Sequence, residues 1–406
     1  MKKFGLIGKK LGHSFSPQIH AMLGDYEYRL YELESEELIP DFIKTSDLDG
    51  FNVTIPYKQA VIPYLDELTP AASEIGAVNT VCRRDGRLIG DNTDCVGFAY
   101  TVASSGADVR GKKTLVIGNG GASKAVCHAL RAAGADVNLL THKENTAEGI
   151  KPYLDSRIIV NTTPVGMFPK NGEAPVDISL FGECEYVFDI IFNPAKTALM
   201  LEAEKRGIPC RNGLPMLVSQ AKRAAELFME CEIADSENER IIREISGKEE
   251  NIVLVGMPGC GKTTVGKLIA ERLGKGFIDT DDEISMSGKT PAEIITESGE
   301  AAFRRVESNA VAEAGKKCGF VIATGGGVVT VPENYAPLAQ NGRIVFINRD
   351  ISSLARDGRP LSTGDGALEK LFSARLPLYR EFADIETDGN GSAAEVAENI
   401  IKELKK

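Results

Sequence analysis

The feature that most restricts how this chain can fold is GMPGCGKTTVG, residues 256–266. Gly256, Gly261, Lys262 and Thr263 fill the pattern G-x-x-x-x-G-K-[ST]. The apolar run Ile252-Val253-Leu254-Val255 ahead of it reads as a strand, and Val265-Gly266-Lys267-Leu268-Ile269-Ala270 behind it reads as a helix. A strand that enters a helix through such a loop brings converging backbone N–H groups and a helix N-terminus to one point, which suits phosphate. Residues Gly259, Cys260, Gly261, Lys262, Thr263 and Thr264 would line the cradle, with Lys262 on the outer phosphates and the Thr263 hydroxyl on Mg2+. A glycine-rich turn that binds nothing would have no need of the Lys-Thr pair. An α/β domain with an ATP–Mg2+ site is therefore expected here. Such loops usually follow the first strand of their domain, so the long stretch ahead of this one needs its own explanation.

At 406 residues the chain has room for two or three domains. Its 43% hydrophobic and 26% charged residues are those of an ordinary globular protein. A formal net charge of −11 without a long basic run argues against nonspecific nucleic-acid binding. Eight cysteines without C-x-x-C and four histidines without H-E-x-x-H argue against zinc. Scattered thiols fit a reducing cytoplasm. The opening MKKFGLIGKK is too short for a signal-peptide core, and no apolar run reaches the ~18 residues of a membrane span. A cytoplasmic protein without a membrane partner is expected. The charged stretch 234–250, with a possible helical stripe of Ile241, Ile242 and Ile245, divides the chain between residues 246 and 247.

A second glycine loop, Gly118-Asn119-Gly120-Gly121-Ala122-Ser123, follows the strand-like Thr114-Leu115-Val116-Ile117. It approximates G-x-G-x-x-G with Ser123 in the last glycine position. An Ala-rich helical stretch over 124–133 and a strand over 136–140 complete a βαβ unit, in which a dinucleotide pyrophosphate rests on the helix N-terminus. After the second strand an NAD site would carry an acidic residue; this chain has Thr141-His142-Lys143. Lys143, with or without His142, could take a 2′-phosphate, which favours NADP, while the nearby Glu144 keeps NAD open. A merely solvated Lys143 is the plain alternative.

Ahead of that unit stand four polar clusters: Gly12-His13-Ser14-Phe15-Ser16-Pro17, Phe51-Asn52-Val53-Thr54-Ile55-Pro56-Tyr57-Lys58, Ile75-Gly76-Ala77-Val78-Asn79-Thr80 and Gly90-Asp91-Asn92-Thr93-Asp94. Each alone reads as a satisfied turn. Together they form a polyol-binding inventory with one lysine and one aspartate.

These clusters, with Gly118 to Ala122, Asn161-Thr162-Thr163-Pro164-Val165-Gly166-Met167 and Asn212-Gly213-Leu214-Pro215-Met216-Leu217-Val218-Ser219-Gln220, resemble shikimate dehydrogenase from about residue 4 to about 228. The resemblance implies reduction of 3-dehydroshikimate to shikimate with NADPH. It makes Lys58 and Asp94 the catalytic pair, Ser14, Ser16, Thr54, Asn79 and Gln220 further substrate contacts, and Gly213 a cofactor contact. Hydride reaching a ketone leaves charge on oxygen, which a lysine can meet either as acid or as fixed cation. Both roles remain open at this level. Two departures stand out: Thr141-His142-Lys143 replaces the family's usual Asn-Arg-Thr, and Phe192 stands where the family has a substrate-touching tyrosine.

The last 155 or so residues carry further motifs. In Phe277-Ile278-Asp279-Thr280-Asp281 the two carboxylates are two residues apart, so on a strand both would face one side. Gly299-Glu300-Ala301-Ala302-Phe303-Arg304-Arg305 reads as helix, and Ala323-Thr324-Gly325-Gly326-Gly327 as a second glycine turn. With Arg359-Pro360-Leu361 and Arg375-Leu376-Pro377-Leu378-Tyr379, this stretch resembles shikimate kinase from about 251 to 404. The resemblance implies that Asp279 helps organise Mg2+, that Asp281 binds and orients or deprotonates the shikimate 3-hydroxyl, and that Arg304 and Arg375 clamp the carboxylate. Gly325, Gly326 and Gly327 would approach the ring, and Arg359 would close over the ATP phosphates. Arg305 reads as a solvated residue, and Ser362 replaces a leucine usual in the family.

The expected architecture is α/β throughout. Residues 1–246 form the dehydrogenase, with a split substrate domain (about 1–98 and 211–246) around a Rossmann-type NADP domain (about 99–210). Residues 247–406 form a P-loop domain like the nucleoside-monophosphate kinases. The product of the first reaction would be the substrate of the second. Three rivals remain: one half is a non-catalytic module, the second half is an NTP switch, or the first half prefers quinate and NAD. Against a switch, neither N-K-x-D nor L-S-G-G-Q occurs.

Overall fold

The computed structural model describes residues 1–12, 14–286, 288–354 and 367–405. The chain divides into two compact units. The first comprises Met1–Val165, Ala174–Phe192 and Glu202–Glu244; the second comprises Gly166–Glu173, Asn193–Leu201 and the chain from Ile245 onward. The helix Ser236–Glu249 spans the change-over in sequence, and its Ile241 and Ile245 are buried while Ile242 is half-buried. Among the described residues no helix is long and apolar enough to cross a membrane.

The first unit holds two sheets. One is built from β1 (Lys3–Gly8), β2 (Glu27–Glu32), β3 (Gly50–Val53), β4 (Glu67–Leu68), β5 (Thr80–Arg84) and β6 (Arg87–Asp91), in the order β2-β1-β3-β5-β6-β4. It is mixed: β1 runs parallel to β2 and β3, whereas β5 is antiparallel to β3 and β6. The reversal between β5 and β6 is made by Asp85-Gly86, both at positive φ (50° and 78°). Asp-Gly supports that backbone in a two-residue hairpin turn.

The other sheet contains β7 (Lys113–Ile117), β8 (Asp136–Leu140), β9 (Ile158–Asn161), β10 (Tyr186–Asp189) and β11 (Cys210–Arg211), all parallel, in the order β11-β10-β9-β7-β8. Every residue of β9 and β10 is buried, as apolar strands covered on both faces must be. Chain order reverses beside β7, so the crevice at its C-terminal end is the switch point where α/β sheets bind ligands. Gly118 begins there.

The second unit carries β12 (Asn251–Val255), β13 (Gly276–Asp279), β14 (Phe320–Ala323), β15 (Gly342–Asn348) and β16 (Ile385–Asp388), again all parallel, in the order β13-β14-β12-β15-β16. All five β12 residues are buried, and the phosphate-type loop leaves its C-terminal end. One local expectation fails. β13 stops at Asp279 and a helix, Thr280–Met286, begins at once, so Asp279 and Asp281 do not share a strand. The cause is local: Asp279 Oδ1 accepts the Asp281 backbone N–H at 3.0 Å, as capping carboxylates do at helix starts.

Candidate active sites

In the first unit the predicted polar residues converge. Asp94 is the first residue of the helix Asp94–Ser105, following Thr93 as N-cap. Its Oδ2 accepts from Lys58 Nζ, and its Oδ1 accepts from Asn79 Nδ2 at 2.9 Å. Asn79 Nδ2 also lies 3.0 Å from Thr93 Oγ1 and 3.4 Å from Gln220 Oε1, and Asn79 Oδ1 accepts the Thr93 N–H at 2.7 Å. Both carboxylate oxygens are thus held, and the lysine is fixed at one of them. The turn bearing Lys58 is tied down by Val78 N–H to Lys58 O at 2.8 Å.

Gln220 comes from the helix Leu214–Met229, far along the chain. Gly97 lets that helix approach: a Cβ there would lie 2.5 Å from Met216 O and 3.0 Å from Gln220 Cβ. Ser14 and Ser16 share a turn in which Ser14 Oγ accepts the Ser16 N–H at 3.3 Å, and Ser16 is buried. Thr54 is anchored through its backbone to Ile7 O at 2.9 Å and is half-buried. Phe192 packs edge-on to Phe15, with ring centroids 5.3 Å apart, beside the two serines. Residue 13, within that cluster, lies outside the described residues.

The glycine loop after β7 opens the helix Gly121–Ala132, which has no side-chain cap. Its first N–H groups are therefore open to an anion. Gly118 adopts φ 113°, and a Cβ there would meet Thr162 Oγ1 at 2.6 Å. Ser123, in place of a third glycine, donates its hydroxyl to Gly118 O at 2.6 Å and so braces the loop. Asn119 and Gly120 are exposed; Gly121 and Ala122 are partly covered. The Lys58 stem runs along this loop, since a Cβ on Gly121 would lie 3.5 Å from Lys58 Cδ. Lys143 is exposed, whereas Glu144 is turned back: its Oε2 accepts from Thr141 N at 3.1 Å and Thr141 Oγ1 at 2.7 Å. Those bonds lower the Glu144 carboxyl from its usual value. Gly213 donates its N–H to Ile191 O at 2.9 Å. The open helix terminus and the bracing of the loop fit a dinucleotide phosphate.

In the second unit the helix Lys262–Leu273 likewise starts without a side-chain cap, after Gly259 and Gly261 at positive φ. Lys262 Nζ donates to Gly256 O at 2.8 Å and Met257 O at 3.1 Å, Cys260 is buried, and Thr264 is exposed. Thr263 Oγ1 donates to Asp279 Oδ2 at 2.6 Å. A hydroxyl and a carboxylate at the mouth of a phosphate loop are the hard oxygen donors Mg2+ takes.

Behind them lies a charged cluster. Arg304 donates to Glu307 Oε2 at 2.6 Å and Glu300 Oε1 at 2.8 Å. Gly325 separates two carboxylates: a Cβ there would lie 2.4 Å from Glu307 Oε1 and 3.0 Å from Asp281 Oδ1. Among the described residues neither of those two oxygens has a hydrogen-bond partner. Burial, then the Asp279 charge, lifts the Asp281 carboxyl to about 6. Burial raises Glu307 as well, opposed by Arg304. Gly327 lies directly under Arg304, and Gly326 O accepts from Arg375 at 3.0 Å. Arg305 is exposed. Arg359 and Ser362 lie outside the described residues.

Sequence reasoning missed Gly97 and Glu307. A glycine inside a helix is costly enough to signal close packing, and Glu307 stands three residues after Arg304, the spacing of a helical ion pair.

Two switch-point loops, each facing its own cluster of polyol-type and charged side chains, define a pair of nucleotide-dependent α/β enzymes. The comparisons say which. A family model described as the shikimate dehydrogenase substrate binding domain matches residues 6–81, and one described as shikimate kinase matches 258–405. The shikimate dehydrogenase (NADP(+)) of Caldicellulosiruptor bescii is 39% identical over 259 residues, covering 57% of this chain and 90% of that protein. The Thermus thermophilus shikimate 5-dehydrogenase, solved with NADP(H) and shikimate, aligns with a TM-score of 0.54 at 31% identity, covering 60% of this chain and 99% of that one. A quinate dehydrogenase from Corynebacterium glutamicum, solved with NAD, aligns with a TM-score of 0.52 at 27% identity, covering 60% and 99%. The chain belongs to the shikimate dehydrogenase family over its N-terminal part and carries a shikimate kinase domain after it. It is a bifunctional oxidoreductase and kinase of the shikimate pathway.

Proposed function

We propose that residues 1–246 reduce 3-dehydroshikimate to shikimate with NADPH and that residues 247–406 transfer the ATP γ-phosphoryl group to the shikimate 3-hydroxyl, in the cytoplasm. The observation that carries the first half is the Lys58–Asp94–Asn79–Gln220 set lying against the glycine loop. The dinucleotide supplies the hydride. Lys58 holds its ammonium at the ketone oxygen and stabilises or protonates the charge that develops there, converting C=O to CH–OH. Asp94 fixes Lys58, and Asn79 fixes Asp94. Ser14 and Ser16 hydrogen-bond the substrate carboxylate, with Thr54 and Gln220 on the ring hydroxyls. NADP is favoured over NAD because Glu144 is engaged by Thr141 and the exposed Lys143 can meet a 2′-phosphate. Phe192 gives no hydroxyl to the substrate.

In the second half Asp281 accepts the 3-hydroxyl proton as the oxygen attacks phosphorus, and its raised pKa suits a base working near neutrality. Lys262 and the loop N–H groups hold the phosphates, Thr263 and Asp279 hold Mg2+, and Arg304 and Arg375 clamp the carboxylate.

The test is steady-state turnover of the purified chain on 3-dehydroshikimate with NADPH, with and without Mg-ATP. Lys58→Ala should abolish reduction and leave phosphorylation within about twofold, and Lys262→Ala should do the reverse. A wild-type chain that phosphorylates shikimate but never reduces dehydroshikimate refutes the first half. Activity with quinate and NAD in preference to shikimate and NADP corrects its substrate and cofactor.

A further inference from the structure

The phosphate loop of the second unit has a cation beside it that the reaction as described does not use. β15 lies next to β12 in parallel register, with Phe346 opposite Val255, so the chain beyond β15 emerges alongside the loop. It comes close at two points. A Cβ on Gly256 would lie 2.7 Å from Ile347 O, and one on Gly261 would lie 3.9 Å from Nη1 of Arg349. Gly261 precedes the uncapped helix Lys262–Leu273, so the Arg349 guanidinium stands beside the open N–H groups of the loop.

Arg349 is half-buried, and its backbone is held from behind. Asn348 O accepts the Gly389 N–H at 2.8 Å, and Asp350 donates its N–H to Asn390 Oδ1 at 3.0 Å, which fixes the chain on both sides of it. Gly389 admits the side-chain stem, because a Cβ there would lie 3.1 Å from Arg349 Cβ. The carboxylates of the adjacent β16 are engaged elsewhere: Glu386 by Arg380 and Asn348, and Asp388 by Asn390. Arg349 Nε is closed to solvent and, among the described residues, has no hydrogen-bond partner. Arg304 and Arg343, by contrast, are each paired with glutamate. A guanidinium placed this rigidly, with a buried N–H left open, costs free energy until an anion arrives.

We propose that Arg349 binds the phosphate chain of the nucleotide on its nucleoside side. This rests on the reading of the loop as an ATP site given above. The direction follows from the order of the sheet. Asp281 and Gly325 to Gly327 follow β13 and β14, on one side of β12, whereas Arg349 follows β15, on the other. The γ-phosphoryl group must face the acceptor hydroxyl at Asp281, so the phosphates nearer the nucleoside run toward Arg349. A planar guanidinium can hold two of their oxygens at once. Those phosphates stay with the nucleotide throughout transfer, so the contact serves ATP and ADP alike.

The test is calorimetric titration of the full chain with Mg-ADP and with inorganic tripolyphosphate, under saturating NADP+ so that the dinucleotide site is filled. Arg349→Met keeps an unbranched stem against Gly389 and removes the guanidinium. It should weaken both probes about tenfold or more, the scale of a hydrogen bond to a charged group. Arg349→Lys keeps the charge without the planar fork and should recover part of the loss. The rise in melting temperature produced by Mg-ADP should shrink in step. In initial-rate kinetics KM for ATP should rise by a similar factor, with KM for shikimate within about twofold. A purely structural Arg349 would lower the ligand-free melting temperature of Arg349→Met and leave both affinities unchanged. Unchanged affinities, or a loss confined to Mg-ADP, overturn the phosphate contact while the nucleotide site stands. A wild-type chain that binds neither probe overturns the reading of the loop, and the assignment of Arg349 with it.

Discussion

Replacing Asp281 by asparagine should inactivate the kinase and stabilise the unit that contains it. In the folded protein burial, then the Asp279 charge, carries the Asp281 carboxyl from 3.8 to about 6, with Lys262 pulling the other way and Glu307 adding to the rise. Among the described residues its Oδ1 has no hydrogen-bond partner to offset the lost water. The folded state therefore binds this proton more tightly than the unfolded chain does. Between pH 3.8 and about 6 the folded form keeps a proton that the unfolded form has released, so stability falls as pH rises through that window. Above about pH 6 the penalty is complete. It amounts to roughly 3 kcal/mol at full burial, and about 1–3 kcal/mol where water reaches part of the group. An amide of the same shape has no charge to desolvate. Asp281→Asn should gain about 1–3 kcal/mol at pH 8 and progressively less toward pH 5, while shikimate phosphorylation falls by about 10²-fold or more. Thermal unfolding at several pH values measures the gain, and the shift produced by Mg-ATP identifies the transition that belongs to this unit. A pH-independent gain, or a variant less stable at pH 8, refutes the charge argument. Retained phosphorylation refutes the assignment of the base.

Other perturbations read other parts of the two sites. Gly97→Ala would set a methyl 2.5 Å from Met216 O, and should destabilise the first unit by about 1–3 kcal/mol in chemical unfolding and raise KM for shikimate oxidation by displacing Gln220. Gly327→Ala would drive a methyl to within 2.3 Å of the Arg304 guanidinium, which Glu300 and Glu307 pin from either side. It should raise the kinase KM for shikimate about tenfold or more and leave KM for ATP within about twofold, as initial-rate kinetics will register.

Both glycine loops and the apolar strands that feed them were legible in the sequence because their physics is local. A run such as Ile252-Val253-Leu254-Val255 has one stable use, and the phosphate cradle needs glycine and lysine at fixed offsets. The resemblance to two enzyme families singled out Lys58 with Asp94 and Arg304 with Arg375, the residues to which the proposed function gives the reduction and the carboxylate contact. What it could not supply was the burial of groups between those motifs. Glu307 reads on paper as one more exposed partner for an arginine, yet it is fully buried beside an unpartnered Asp281 oxygen. Tyr28 belongs to a strand whose residues are all exposed or half-buried, so nothing nearby in sequence marks its hydroxyl as the donor to the buried Asn52. The strand reading of Asp281 failed because a carboxylate that could extend a strand can also cap the next helix.

The close approach that Gly97 permits also sets a schedule for the first enzyme. Lys58, Asn79 and Asp94 leave the ribosome early, but the helix that brings Gln220 against them is made only after the whole parallel sheet from β7 to β11 has been synthesised. A nascent chain that stops short of residue 214 carries the lysine–carboxylate pair with one wall of its pocket absent. Catalytic competence for the reduction therefore arrives late in translation, when the segment encoding the phosphate loop is about to follow.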